Sequence, residues 1–343
     1  MTEPKTGLRI KVLVALVAVL FAALTTRLWF LQVLAAEQYQ AAAEDNAVRL
    51  IETPAVRGVI KDTTGKVLVA NRVSVVITVN RQDLGDETER VLYDLSTLLG
   101  VPADELGSRL DDTNYYAFSP IPIAIDVPKR VAYYIKERVR EFPGVDVLEV
   151  PVRDYAFGSL GAHVLGYLGS IGEDELATPA FAGYDPDDRI GVAGVEGVYE
   201  RDLAGTPGLK KYRVNSLDEN LGLIGEQDPV AGNDVWLTID ADIQGLVEES
   251  LVAGIEYAQG VFDSDSGRNL AANAAAAIVL DPTTGEIEAM ASYPSFAPSF
   301  WTRSHSKSEL KRLFGPANGS PLLNRAIQGQ YPPGSTYKPF VAL

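Results

Sequence analysis

The apolar run near the N-terminus constrains this chain more than any other stretch. Residues 12–26, VLVALVAVLFAALTT, carry no charge, and Leu28-Trp29-Phe30-Leu31-Gln32-Val33-Leu34 extends the pattern past a single Arg27. About 20 mostly apolar residues cross a bilayer as a helix, which satisfies its own backbone hydrogen bonds where no water is available. Lys11 and Arg27 stand where long side chains reach the headgroups, and Trp29 and Phe30 suit the interface. Lys5, Arg9 and Lys11 precede or open the run, so the positive-inside bias assigns residues 1–11 to the cytoplasm and the rest to the far side. A cleavable signal peptide is the alternative, because Val12 to Leu24 has the length of an h-region and Val33-Leu34-Ala35 offers a weak cleavage site. The apolar continuation beyond Arg27 favours an anchor, and either reading makes the body extracytoplasmic.

That location narrows the chemistry, and the residue counts narrow it further. With no Cys, disulfides, thiol nucleophiles and thiolate metal sites are excluded. The two His, His163 and His305, lie far apart in sequence, which disfavours a multi-histidine metal site or a Ser-His-Asp triad. Thirty Lys+Arg against 46 Asp+Glu give a net charge of -16, and such an acidic chain argues against a nucleic-acid partner. The 343 residues, 46% of them hydrophobic, leave room for about two folded domains.

Beyond the run, Ala35 to Leu50 reads as a helix closed by Pro54. Val56 to Lys61 and Lys66 to Ala70 flank Asp62-Thr63-Thr64-Gly65 as a strand, turn and strand, and Val73 to Val79 predicts a third strand. Residues 87–112 and Val127 to Phe142 have helical periodicity. Without paired carboxylates in a visible motif or a phosphate loop, this α+β stretch reads as a non-catalytic spacer. The Gly-rich segment Gly183 to Gly208 matches neither the dinucleotide fingerprint nor a Walker loop, so no cofactor site is expected there. Val235 to Asp240 predicts a short strand, and Asp240 is placed to cap a helix Ala241 to Gln259 with Ile243, Leu246, Val247, Leu251 and Ile255 on one stripe. A polar loop, Phe262 to Asn269, precedes a hairpin of Ala274 to Leu280 and Glu286 to Ser292 around Asp281-Pro282-Thr283-Thr284-Gly285. The main boundary falls near Val230 to Asp234.

Serine chemistry without His needs another base, and Lys serves when its surroundings lower its pKa. Ser-x-x-Lys on a helix puts both groups on one face. The pattern occurs at Ser304 to Lys307, Ser308 to Lys311 and Ser335 to Lys338, and roughly one match is expected by chance in a chain this long. The first two lie in a polar stretch that reads as a solvated helix face. Ser335 follows Tyr331-Pro332-Pro333-Gly334, and apart from Lys338 the residues after it are apolar. Pro339 is tolerated only in a first helical turn, so the helix must begin near Ser335, putting its hydroxyl at the positive helix end. On the residues alone Ser335 is either a plain N-cap or a nucleophile with Lys338 as its base.

The segment Asn324-Arg325-Ala326-Ile327-Gln328-Gly329-Gln330-Tyr331-Pro332-Pro333-Gly334-Ser335-Thr336-Tyr337-Lys338-Pro339-Phe340 resembles the nucleophile segment of class B penicillin-binding proteins, the D,D-transpeptidases of the bacterial wall. Ala277 to Pro294 is similar to the family's first transpeptidase hairpin, and Leu237 to Gln244 to its opening strand and helix. Arg57-Gly58-Val59-Ile60-Lys61-Asp62 with Gly65 resembles the start of its pedestal domain, and Arg27 to Leu34 the end of its anchor. Five separated segments thus occur in the family's order. Ala162-His163-Val164-Leu165-Gly166-Tyr167 and Arg189 to Gly208 resemble the elongation-type subfamily, penicillin-binding protein 2.

The resemblance implies an α+β protein: a cytoplasmic N-terminus (1–11), a transmembrane anchor (12–34), an elongated pedestal of the dimerisation type (35–232) and the N-terminal part of a transpeptidase α/β domain (233–343). It implies that Ser335 attacks the D-Ala-D-Ala end of a peptidoglycan stem peptide and that Lys338, as a neutral amine in a dry site, takes its proton. β-Lactams would acylate the same serine, and no metal or organic cofactor is implied. Implied partners are the membrane, a polytopic glycosyltransferase and elongation scaffold proteins. The pattern departs from the family in one respect. The family also uses Ser-x-Asn and Lys-Thr-Gly or Lys-Ser-Gly, but this chain has no Ser-x-Asn, and its Lys5-Thr6-Gly7 precedes the membrane run. The expectation is therefore a chain cut within the nucleophile helix and inactive by itself. A membrane-anchored scaffold of the wall machinery is the alternative from another class. A β-lactam sensor or class D β-lactamase also uses Ser-x-x-Lys but does not normally carry so long a pedestal.

Overall fold

A computed structural model describes residues 5–34, 48–111, 120–186, 188–215, 220–303, 305, 307–332 and 337–342. The chain forms two compact units, one from Met1–Thr53 with Pro207–Asp228, the other from Pro54–Thr206 with Pro229–Leu343.

In the first unit the apolar run is a helix, Lys5–Trp29, continued by a π-helical turn, Phe30–Leu34. Its window Leu13–Val33 is long and apolar enough to cross a membrane, and none of it is buried against protein. The hydroxyls of Thr25 and Thr26 donate to the carbonyls of Phe21 and Ala22, each at 2.8 Å, so neither needs water. The same unit holds a three-stranded antiparallel sheet in which Gly208–Val214 lies between Val48–Thr53 and Asn220–Gln227. Val48 to Leu50 are therefore strand, not the end of the expected helix. Pairing with Arg213, Tyr212 and Lys211 overrides their local pattern, and residues 35–47 of that expected helix lie outside the described residues.

The second unit is built on one long strand, Val67–Val79, which pairs along its length with Val145–Tyr155. Its other edge takes Ile121–Ile125 at one end and Ile60–Lys61 at the other, and Val235–Trp236 runs parallel to Ile60–Lys61. The sequence suggests two strands broken near Asn71-Arg72, but the ladder continues through both residues. The polar pair carries hydrogen bonds instead of a turn. Asn71 Nδ2 donates to the Arg57 carbonyl at 2.6 Å, and Arg72 forms a two-pronged bond to Asp126 at 2.6 and 2.8 Å.

One end of the sheet buries Val75, Ile77 and Val79 under two helices, Thr88–Leu99 and Ala103–Leu110, and a third, Lys129–Glu137. Each helix contributes a stripe at helical spacing: Val91 with Leu95, Leu106 with Leu110, Val131 with Ile135. The periodic stretch 87–112 breaks at Gly100, which ends the first helix in the left-handed conformation, and at Pro102, which precedes the second. The other end of the sheet packs Ile60, Leu68, Val69 and Tyr155 against Leu165, Leu203 and Ala241.

Four buried charges lock that second end. Arg57 donates from Nε to Glu196 at 2.8 Å and grips Glu200 through Nη1 and Nη2 at 3.1 and 2.5 Å. Arg153 donates to the other oxygen of Glu196 at 2.6 Å and to the Gly58 carbonyl at 2.8 Å. The Tyr184 hydroxyl and the Gly191 N–H complete Glu200, at 3.1 and 2.6 Å. Two cations and two anions balance. Burial opposes the charge on Arg57, but the Glu200 hydrogen bond and the charges of Glu196 and Glu200 outweigh it and hold its pKa above the ordinary value. Burial, with Glu200 beside it, pushes the Tyr184 hydroxyl up to about 12. Removing one member of such a set strands the others and costs about 3–5 kcal/mol. The Gly-rich segment that matched no cofactor motif thus supplies both carboxylates, one helical turn apart.

Asp240 caps the helix Ala241–Gly260 as expected, accepting from Asp242 N and Ile243 N at 2.9 and 3.1 Å. The hairpin Ala275–Leu280 with Ile287–Tyr293 is also as expected, turning at Gly285 in the left-handed region (φ 80°). The buried stripe of the helix differs from the expected one. Ala241, Gln244 and Ile255 are buried, whereas Leu246 is exposed. The helix turns Gln244 toward the hairpin, where its amide donates to the Met290 carbonyl at 2.9 Å and accepts the Met290 N–H at 2.8 Å. A side chain thereby pairs with a strand edge as another strand would.

Candidate active site

The hairpin strand Ile287–Tyr293 carries the frame of the candidate site. Ser292, buried near its end, donates from Oγ to the Leu323 carbonyl at 3.2 Å and accepts the Arg325 N–H at 3.0 Å. These two bonds splice residues 323–325 onto the hairpin. Asn324 caps the short helix Arg325–Gln328, its Oδ1 accepting from Ala326 N at 3.2 Å. Arg325 is 7% exposed, and its guanidinium gathers carbonyls: Nη1 donates to Ser320 at 3.2 Å and Leu323 at 3.3 Å, and Nη2 donates to Gly319. The loop accommodates this wrapping with Gly319 and Ser320 at positive φ, 72° and 51°.

Residues far earlier in the chain close the other side of the loop. His163, in the helical turn Ala162–Leu165, is buried and donates from Nε2 to the Pro321 carbonyl at 2.7 Å. That bond requires the tautomer with its proton on Nε2. The ring stands edge-on to Phe296, centroids 5.2 Å apart, and the His163 carbonyl accepts Asn324 Nδ2 at 3.4 Å. Burial lowers the His163 pKa, and the positive charge of Arg325 lowers it further, so the imidazole is neutral at neutral pH. Nearby, Tyr167 stacks on Trp301 at 4.6 Å and Trp301 on Phe314 at 5.5 Å, while Arg189 Nη2 donates to the Trp301 carbonyl at 2.6 Å.

Of the two residues singled out for chemistry, Ser335 lies outside the described residues, as do Pro333, Gly334 and Thr336. Lys338 is described: it opens a short helix, Lys338–Val341, with Tyr337 before it and Pro339 in its first turn, where a missing N–H costs least. Lys338 is exposed, and so are Phe340 at 71% and Val341 at 73%. Among the described residues, then, no wall desolvates the ammonium. In the competing Ser-x-x-Lys matches, Ser308 and Lys311 lie exposed on the helix Lys307–Phe314, and Ser304 is outside the described residues. Among the described residues no group of three or more His, Cys, Asp or Glu is placed to hold a metal ion.

The site's supporting residues are only partly visible in sequence. Asn324 precedes a short apolar helical stretch and signals a cap. Nothing local marks Arg325 as buried, since its carbonyl partners are set by the fold of the loop before it. His163 and Ser292 lie in segments that resemble the family, but nothing local marks their roles, because their partners are 158 and about 30 positions away.

With this geometry in hand, residues 52–237 match the Penicillin-binding Protein dimerisation domain, and residues 275–343 match the Penicillin binding protein transpeptidase domain. Because the first match covers more than half of the chain, the chain belongs to the penicillin-binding protein family. Within it, the relatives below put the chain in the elongation-type class B branch. The chain is 31% identical to the peptidoglycan D,D-transpeptidase MrdA of Acinetobacter baumannii over 98% of its own length and 47% of that protein's. It is 30% identical to MrdA of Escherichia coli K12, over 93% and 48% of the two chains, and 30% identical to penicillin-binding protein 3 of Bacillus subtilis, over 88% and 41%. The fold matches PBP2 solved in complex with MreC from Helicobacter pylori, with a TM-score of 0.68 and 22% identity, over 86% of this chain and 52% of that one. The chain spans about half the length of the relatives it matches.

Proposed function

We propose that this chain is the anchor, pedestal and nucleophile-bearing part of a peptidoglycan D,D-transpeptidase of cell-wall elongation. The observation that carries this reading is the transpeptidase match over 275–343, which takes in Ser335 and Lys338 downstream of a buried, hydrogen-bonded frame. Ser335 Oγ attacks the carbonyl of the penultimate D-Ala of a stem peptide, and Lys338 takes the hydroxyl proton. The terminal D-Ala leaves as an amine that regains a proton, and the acyl group passes to an amine of a neighbouring strand. The domain division at residues 34 and 232 belongs to this reading, as do a cytoplasmic N-terminus and a single crossing of the inner membrane at 12–34. Lys5, Arg9 and Lys11 before the apolar window support that topology. The pedestal would dock an elongation scaffold and a polytopic glycosyltransferase. Support for the scaffold comes from the fold neighbour, a PBP2 solved with MreC.

A labelled penicillin tests the chemistry. In a protein that carries these residues within a chain of the relatives' length, the label should attach to Ser335, and Ser335→Ala should abolish labelling while membrane insertion persists. Unchanged labelling in Ser335→Ala would remove this serine from the mechanism. The 343-residue chain alone should not be labelled, because it lacks Ser-x-Asn and has Lys-Thr-Gly only at residues 5–7.

A further inference from the structure

We infer that His163 is a positioning residue for the nucleophile segment, an inference that rests on the acyl-transfer reading of Ser335. His163 comes from the region matched by the dimerisation domain, yet both its polar ends are spent on the loop and helix that lead to Ser335. Its ring holds the Pro321 carbonyl, and its own carbonyl holds Asn324, the cap of Arg325–Gln328.

Three other carbonyls of the loop are already taken. Arg325 collects those of Gly319, Ser320 and Leu323, and Ser292 shares that of Leu323. Pro321 is buried, so without the imidazole its carbonyl would be an acceptor with neither protein nor water to meet it. Both ends of the His163 connection are rigidly held. On its own side, Gly161 N donates to Glu248 at 2.8 Å, and a Cβ on Gly166 would lie 1.7 Å from the Ala193 carbonyl. That close approach pins the turn against the helical turn Gly194–Val198, which also supplies Glu196 to the buried ion set. On the other side, the edge-on contact with Phe296 fixes the ring rotation that aims Nε2 at Pro321. A neutral ring carrying its proton on Nε2 is suited to a rigid, charge-free tie next to the buried Arg325 cation.

Hydrogen exchange on the full chain in detergent tests this. His163→Phe keeps an aromatic ring against Phe296 but has no donor, and His163→Gln keeps an N–H donor of similar reach. In His163→Phe the amides of residues 322–330 should exchange about tenfold faster, with those of strand Val67–Val79 unchanged. His163→Gln should recover most of that protection. Asn324→Asp, which keeps the acceptor oxygen of the cap but loses the Nδ2 donor of the second tie, should loosen the same segment. Unchanged exchange at 322–330 in His163→Phe, or a His163→Gln chain as loose as His163→Phe, overturns the inference. If His163→Phe does not fold, an Asn324→Asp chain with wild-type exchange at 322–330 overturns it instead. Penicillin labelling reports separately on the acyl-transfer reading: a protein of the relatives' length whose Ser335 never labels sinks that reading without altering the exchange result.

Discussion

At the scale of single residues, His163 joins geometry to a dependence on pH. Its folded pKa lies below the ordinary histidine value of about 6.5, chiefly through burial, with Arg325 adding to the shift. As pH falls, the unfolded chain therefore binds this proton first. The stability contributed by neutral His163 is complete above about pH 6.5 and is lost as pH drops from there toward the folded value. Urea midpoints should fall between about pH 7 and 5 in the wild-type chain, and His163→Gln should flatten that part of the slope. An equal slope in both chains would assign the acid sensitivity to other groups. The sequence showed this residue as one of two distant histidines, which disfavour a triad, and as part of a subfamily segment, but gave it no role. Its hydrogen-bond partner comes from a loop that only tertiary structure brings near, whereas Asn324 was readable because a cap acts on its own helix.

At the scale of elements, close backbone approach sets the strictest requirement. Gly166 has φ 80°, and its missing Cβ leaves room for the Ala193 carbonyl. Gly166→Ala should cost more than about 3 kcal/mol, or leave no folded second unit, as read by the loss of its cooperative urea transition. Gly100→Ala, also at positive φ but in the left-handed helical region and with open space around the added atom, is the control and should cost about 1 kcal/mol. The elements legible in sequence were those with local signals: the Asp240 cap, the Gly285 hairpin and the apolar helix near the N-terminus. Those missed were decided by distant partners. The strand at Val48 is set by Gly208–Val214, and the unbroken course of Val67–Val79 by Val145–Tyr155. Leu246 was expected inside because it is apolar, but Gln244 holds that position by pairing with the edge of the hairpin. For the site itself, the proposal of Ser335 with Lys338 comes from the sequence, and the frame that leads to them comes from the fold.

At the scale of the whole molecule, the two kinds of core have different demands. The cluster around Val75, Ile77 and Val79 is drawn from residues 75–147, and its helices meet strands close in sequence. The four-charge lock joins Arg57 to Glu196 and Glu200, 139 and 143 positions later. Neither arginine can be buried at low cost until Glu196 arrives, and Arg57 needs Glu200 as well, since an unmatched buried charge is among the most expensive defects a fold can contain. The lock therefore imposes an order on biogenesis. As the chain is made, the end of the sheet at Arg57 must remain open until residue 200 is available, although the Val75 end can close earlier. Chains arrested before Glu196 should stay cleavable near Arg57 by an added protease, and resistance should appear in one step once Glu200 is included. Gradual resistance with length would show that the end near Arg57 closes without its counter-charges. The end of the sheet that comes first in sequence is thereby one of the last parts of its unit to become protease-proof.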